Sequence, residues 1–251
     1  MESKQEAAAA DATEEDAKSI EEDAKSIDED SPTEDIKHLN PALNPGARRI
    51  AIVGATNSGK TRALLEILPY FNIPDNLYII IPYSVKKRPV YQSIIKYYNA
   101  YHVNIHTLSK ISMIQKSILD NDKLDGTEYN LAIVDDFSDK KSQEAPELDA
   151  LFSVGSHHRK LNVIMICQYF TNMTPSVRAN LTDLYVFPSM RLDEIYKSSK
   201  LNFKSRDEFN RAYSECTTME PDGKRHWLNI NLEACTHPKL RVKRDMTEVF
   251  E

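Results

Sequence analysis

The octapeptide GATNSGKT, Gly54 to Thr61, sets two glycines, a lysine and a threonine at the spacing G-x-x-x-x-G-K-[ST]. That spacing suits a chain of phosphates. Glycines let backbone N–H groups come close to the anionic oxygens, a lysine brings a mobile positive charge to the β and γ phosphates, and a threonine hydroxyl ligates Mg²⁺. Gly54, Ala55, Thr56, Asn57, Ser58, Gly59, Lys60 and Thr61 are therefore the expected nucleotide-binding residues. A second, acidic site decides whether a nucleotide is only held or also hydrolysed. LAIVDD, Leu131 to Asp136, closes an apolar run with two carboxylates, which would emerge at the carboxyl end of a buried strand, where α/β sheets bind ligands. Asp135 suits support of Mg²⁺ through a water, and Asp136 suits orienting or deprotonating the attacking water. Turn chemistry or a helix N-cap is the other use of such a pair, with Asp139 a rival for the cap. LNVIMICQ, Leu161 to Gln168, ends a third apolar run in an amide that can hydrogen-bond a γ phosphate or the lytic water.

These side chains need a scaffold of strand ends and helix starts. Short apolar runs are read as strands at Arg49 to Val53, Leu77 to Ile81, Val103 to Ile105, Leu131 to Val134, Leu161 to Cys167 and Leu184 to Phe187. Helical periodicity falls between them, at Lys60 to Pro69, Val90 to Tyr98, Lys110 to Leu119, Pro146 to Val154, Pro175 to Leu181, Leu192 to Ser199 and Ser205 to Thr217. The alternation predicts an α/β three-layer domain with a mostly parallel central sheet, and the phosphate motif makes it a P-loop NTPase. From Trp227 the pattern reads as a terminal hairpin or extension.

The net charge of −6 is unevenly spread: residues 1–40 hold 14 Asp and Glu against 4 Lys, which leaves the remainder mildly basic. The repeated EEDAKSI within this stretch has too few apolar members for a coiled coil and reads as a solvated acidic arm. The expected organisation is an arm over 1–45, an ATPase core over 46–225 and a C-terminal extension over 226–251. Cys167, Cys216 and Cys235 lack CxxC spacing and follow no signal sequence, so a reducing compartment without disulfides is expected. No apolar run is long enough to span a bilayer. Cys216, His226, Cys235 and His237 fit no compact zinc-finger spacing.

GATNSGKT, then LAIVDD, then LNVIMICQ followed by TPSVRANLTDLYVF, in this order, resemble the FtsK/HerA superfamily of additional-strand P-loop ATPases, and most closely the genome-packaging ATPases of large and polinton-like DNA viruses and virophages. The likeness covers roughly Arg49 to Phe187. It implies a RecA-like core with the Walker B and sensor strands beside the P-loop strand, ATP and Mg²⁺ as cofactors, Lys60, Asp135, Asp136 and Gln168 as catalytic residues, and Thr61 with Asp135 at the metal. It further implies a homo-oligomeric ring that moves double-stranded DNA, capsid or portal components as partners, and a place in host cytoplasm, viral factory or virion. Cellular members usually carry Glu where Asp136 stands, whereas viral members do show a second Asp. The family's arginine finger, reaching into the neighbouring subunit's site, would fall near His157; Arg159 is the preferred residue here, and Arg178 a rival.

Packaging requires basic groups facing DNA. Lys86, Lys87 and Arg88, Lys140 and Lys141, and Lys239, Arg241, Lys243 and Arg244 are the candidate clusters, with Tyr91, Tyr97, Tyr98 and Tyr101 near the first. No base-reading motif is present, so binding without sequence preference is expected. Two other readings stay open: a P-loop nucleotide or small-molecule kinase, which would need an arginine-rich lid and an acceptor pocket, and a non-motor nucleotide switch or scaffold.

Overall fold

A computed structural model of the chain describes residues 47–121, 128–137, 145–155, 161–189, 191–218, 225–233, 241–246 and 248–249. The acidic arm, Asp139, Lys140, Lys141, His157, Arg159, Lys160, Cys235, His237 and Lys239 lie outside the described residues.

Among the described residues nine strands form one sheet: β1 Arg49–Val53, β2 Asn76–Ile80, β3 Asn104–Leu108, β4 Asn130–Val134, β5 Leu161–Cys167, β6 Asp183–Val186, β7 Leu228–Asn231, β8 Val242–Arg244 and β9 Glu248–Val249. Their order is β3-β2-β4-β5-β1-β6-β7-β8-β9. The six strands from β3 to β6 are parallel, and β7, β8 and β9 continue the sheet antiparallel. The sheet is therefore the expected mostly parallel α/β platform. One neighbour relation differs from the expectation. β5 lies directly beside β1, but β4 stands one strand further out, with β5 between them.

Side chains alternate across the central strands and both faces are covered. Ile50 and Ile52 of β1 join one core cluster with Leu131, Ile133, Ile164 and Ile166, whereas Ala51 and Val53 join the opposite one with Ala132, Val134, Val163 and Met165. This two-sided burial explains why these runs are continuously apolar in the sequence. β3, at the edge, alternates exposed and half-buried positions and is accordingly polar.

Helices α1 Leu64–Ile67, α2 Pro89–Asn99, α3 Pro146–Ala150, α4 Pro175–Ala179, α5 Leu192–Ser199 and α6 Arg206–Thr217 cover the faces. Proline occupies the first turn of α2, α3 and α4, where its missing N–H costs nothing. Thr174 caps α4 and Ser205 caps α6 through their hydroxyls. Three predicted helices come out shorter or wider. The Lys60 to Pro69 segment is α-helical only over Leu64–Ile67 before a 3₁₀ turn begins, because Pro69 cannot continue the ladder. Within Lys110 to Leu119, Gln115–Leu119 closes as a π turn, clipped by the Gln115 amide donating to the Asp120 carboxylate at 2.6 Å. After Ala150 the helix widens to a π turn over Leu151–Gly155, where the Ser153 hydroxyl donates to the Asp149 carbonyl at 2.7 Å.

A buried ionic cluster ties the lower end of β1 to its neighbours. Arg48, 4% exposed, pairs with Asp183 at the start of β6 and with Glu233 Oε2 at 2.7 Å. Thr182 donates to Asp183 at 2.7 Å and the Asn231 amide at 3.2 Å, so β1, β6 and the end of β7 meet on one carboxylate. Among the described residues no helix is long and apolar enough to cross a membrane.

Removing one member of a buried pair strands the other's charge, which costs about 3–5 kcal/mol. Asp183→Ala is therefore expected to lower the unfolding free energy by roughly 3 kcal/mol in urea titrations. The double change Arg48→Met with Asp183→Leu should lose less than the single one.

Candidate nucleotide-binding and hydrolysis site

The loop from Gly54 to Thr61 leaves the buried end of β1 and is pinned on both sides. Gly54 N–H donates to the Cys167 carbonyl of β5 at 3.3 Å, and Ala55 N–H to the Pro188 carbonyl beyond β6 at 2.8 Å. A Cβ on Gly54 would sit 2.6 Å from Phe187 Cβ and 2.8 Å from Ser58 Oγ, which explains the first glycine. Gly59 has φ +93°, which explains the second, and Asn57 takes the left-handed region at φ 59°. Successive N–H groups in such a turn line an anion-binding hollow.

Lys60 is buried beneath this loop and its Nζ donates to the Ala55 carbonyl at 2.5 Å. Burial pulls its pKa below the ordinary lysine value, opposed by the nearby Asp135, Cys167 and Asp136. A phosphate placed here would restore the charged form's lost solvation.

Across the cleft β4 delivers Asp135, 4% exposed, at its carboxyl end. Its Oδ2 accepts from the Thr61 hydroxyl at 2.9 Å and the Tyr91 hydroxyl at 2.6 Å, and its Oδ1 from the Asp136 N–H at 2.7 Å. Burial pushes the Asp135 carboxyl above the usual range, and these hydrogen bonds pull it back in part. Asp136 adopts φ 64° and forms an ion pair with Arg88, Nη2 to Oδ2 at 3.0 Å. Gln168, at the mouth of β5, lines the same cleft of about 750 Å³, as do Lys60, Thr61, both aspartates and Arg88.

Of the sequence-predicted site residues, Thr56 to Thr61, Asp135, Asp136 and Gln168 line one cleft, and Gly54 and Ala55 carry the chain from β1 to its edge without lining it. Arg159 and His157 lie outside the described residues. Arg178 does not line the cleft: its guanidinium donates to the Met173 carbonyl at 2.8 Å and sits 5.7 Å from the Phe170 ring centre. Four contributors were missed or misassigned from sequence. Arg88 was grouped with the DNA-facing lysines, yet it turns to Asp136. Tyr91 was noted only as lying near that basic cluster; it is buried in the core and its hydroxyl reaches Asp135. Arg191, stacked 4.5 Å over Tyr169, closes the far wall with that ring. Their sole signal in the sequence was position: residues at a helix start or just after a strand end. Cys216 is buried in α6 and His226 bonds Asp245 at 2.5 Å, and among the described residues no His, Cys, Asp and Glu group forms a metal cage.

The Thr61 hydroxyl and the Asp135 carboxylate fit Mg²⁺, a hard cation that keeps several waters and is usually held by one or two carboxylates with substrate phosphates. Fold and site together define a P-loop NTPase, with a buried strand-end aspartate bonded to the P-loop threonine. The family of the Poxvirus A32 protein matches residues 38–212, more than half of the chain, and the chain belongs to that family. The packaging branch of the FtsK/HerA ATPases, which the motifs resemble, agrees with this membership. No curated protein matches the chain. Among solved structures, the genome packaging NTPase B204 of Sulfolobus turreted icosahedral virus 2 with AMP is 16% identical with a TM-score of 0.51, over 83% of this chain and 100% of that one. B204 of Sulfolobus turreted icosahedral virus is 14% identical with a TM-score of 0.49, over 80% and 97%. The pCW3 conjugation coupling protein TcpA is 13% identical with a TM-score of 0.49, over 82% and 62%. Only the first of these has a TM-score above 0.5, and at 16% identity its likeness speaks to the fold alone.

Two outcomes follow from the geometry. Gly54→Ala should abolish binding of a fluorescent ATP analogue, because the added methyl group forces the loop off Phe187. For Asp135, the folded pKa lies above the unfolded 3.8, so stability is lost as pH rises from that value through the folded one. Asp135→Asn removes this cost. In thermal melts of the nucleotide-free protein, the variant's Tm relative to wild type should rise as pH is raised above 3.8 and level off once pH passes the folded pKa.

Proposed function

We propose that the protein hydrolyses ATP to drive double-stranded DNA into a viral capsid. The observation that carries this is the 2.9 Å hydrogen bond joining the P-loop threonine to a buried strand-end aspartate, with a second acid and a sensor amide in the same cleft. A loop that only held phosphate would have no use for an adjacent exposed carboxylate. Membership in the Poxvirus A32 protein family and the fold shared with a genome packaging NTPase, itself seen with ATPγS, AMP and AMPPCP, support the assignment.

In this reading the loop amides and Lys60 hold the β and γ phosphates, and Thr61 and Asp135 hold Mg²⁺. The metal, when bound, supplies positive charge against that developing on the phosphoryl oxygens. Asp136 takes a proton from the water whose oxygen attacks the γ phosphorus. The bond to the β–γ bridging oxygen breaks, its electron pair stays with ADP, and inorganic phosphate leaves. Gln168 bonds the γ phosphate or the attacking water, so its contact ends when phosphate departs. Arg159 of a neighbouring subunit completes the site in a homo-oligomeric ring, and isolated subunits therefore turn over slowly. A virion or viral factory is the setting this chemistry serves.

The exposed Lys86 and Lys87 are the preferred DNA contacts, binding phosphates without reading bases. The C-terminal group is less suited: Lys243 is half-buried, and burial near Arg48 lowers its pKa despite Asp183. Phosphate release should rise when double-stranded DNA is added to wild type, and Asp136→Asn should abolish it. Lys86→Glu with Lys87→Glu should keep the basal rate and lose the stimulation. Transfer of phosphate to a small acceptor instead would identify a kinase.

A further inference from the structure

Both aspartates are held from outside the phosphate loop by a single helical turn. Arg88 is the N-cap residue of α2, followed by Pro89 at the first helical position, and Tyr91 lies three residues after Arg88. Residues three apart share a helix face. Here one contacts Asp136 at 3.0 Å and the other Asp135 at 2.6 Å. These contacts differ in kind. Tyr91 is fully buried among Ile94, Tyr98 and the strand residues of its cluster, so its hydroxyl is fixed in space by packing. Arg88 is half-exposed and forms a surface-grade ion pair.

The donors on Asp135 divide in the same way. Thr61 belongs to the phosphate loop and Asp136 N–H to the loop after β4, segments whose side chains serve metal and water in the hydrolytic reading. Tyr91 alone donates from an element anchored in the core. With these three donors, roughly one of the carboxylate's four acceptor sites is left for a metal-bound water.

We propose that the first turn of α2 is the positioning element of the acidic site: Tyr91 fixes the Asp135 carboxylate through its hydroxyl, and Arg88 fixes Asp136 through its guanidinium. In this role both act through the aspartates, Tyr91 from the buried core and Arg88 from the cleft wall. The proposal rests on the hydrolytic reading, since it assigns these two side chains to a carboxylate pair that serves metal and water.

Tyr91→Phe keeps the ring and removes only the donor. Loss of an outer-shell partner typically lowers metal affinity or activity by about 10–100-fold. The expected result is a kcat lower by about tenfold with KM for ATP within about twofold, and a Mg²⁺ concentration for half-maximal binding of a fluorescent ATP analogue raised by about tenfold. Binding of that analogue in EDTA should not change. An unaltered Mg²⁺ titration in folded protein, or an equal loss of EDTA binding, would overturn the Tyr91 role. Arg88→Gln should lower kcat without weakening nucleotide binding, and Arg88→Lys should recover most of it. A rise in the ATP dissociation constant with Arg88→Gln would assign the guanidinium to phosphate and overturn its role as a restraint. Wild type that hydrolyses ATP but ignores DNA would sink the motor and leave this proposal standing, whereas the Mg²⁺ binding titration reads Tyr91 even if hydrolysis is absent.

Discussion

Everything in the cleft is referred to one buried carboxylate. Asp135 is nearly inaccessible to water, and a charge there survives only because hydrogen-bond donors replace the lost solvent. Those donors come from three separate parts of the chain: Thr61, Asp136 and Tyr91. Their convergence requires β1, β4 and α2 to stand in fixed register, and the sheet supplies it. Val53 pairs with Cys167 and Val134 with Met165, so β1, β5 and β4 end almost level and their loops open into the same space.

The interposed β5 gives that arrangement its reach. Because one strand separates β1 from β4, the phosphate loop and the acidic pair face each other over the mouth of β5 rather than side by side. Gln168 emerges there, and Cys167, whose burial raises its thiol pKa to about 12, forms an uncharged floor beneath Lys60.

Most of this scaffold was legible in the sequence because two-sided burial writes itself as unbroken apolar runs. β1 and β5 coincide with their predicted bounds, and β4 and β6 differ by one residue. Asp135 was found because a charged residue directly after such a run marks a strand's end. What was not legible depends on helix phase and local hydrogen bonding. Tyr91 resembles any core tyrosine until the register of α2 is known, and Arg88 beside Lys86 and Lys87 looks like one basic patch although it faces elsewhere. The widened turns at Gln115–Leu119 and Leu151–Gly155 carry helical apolar spacing, and side-chain hydrogen bonds from Gln115 and Ser153 accompany the wider closure. The order of strands could not be read from the apolar pattern, since a parallel strand's neighbours are chosen by crossovers far apart in the chain; the family resemblance placed β5 beside β1 correctly and β4 one strand too near.

The lysine folded back onto the Ala55 carbonyl bears on how the catalytic cycle resets. A buried ammonium with no acceptor would cling to whatever anion it last met, and spent product would leave reluctantly. This ammonium has a neutral surrogate within its own loop, so ligand departure is an exchange of acceptors and not a desolvated void. A phosphate cradle whose lysine has an acceptor of its own can exchange ligands without coming apart.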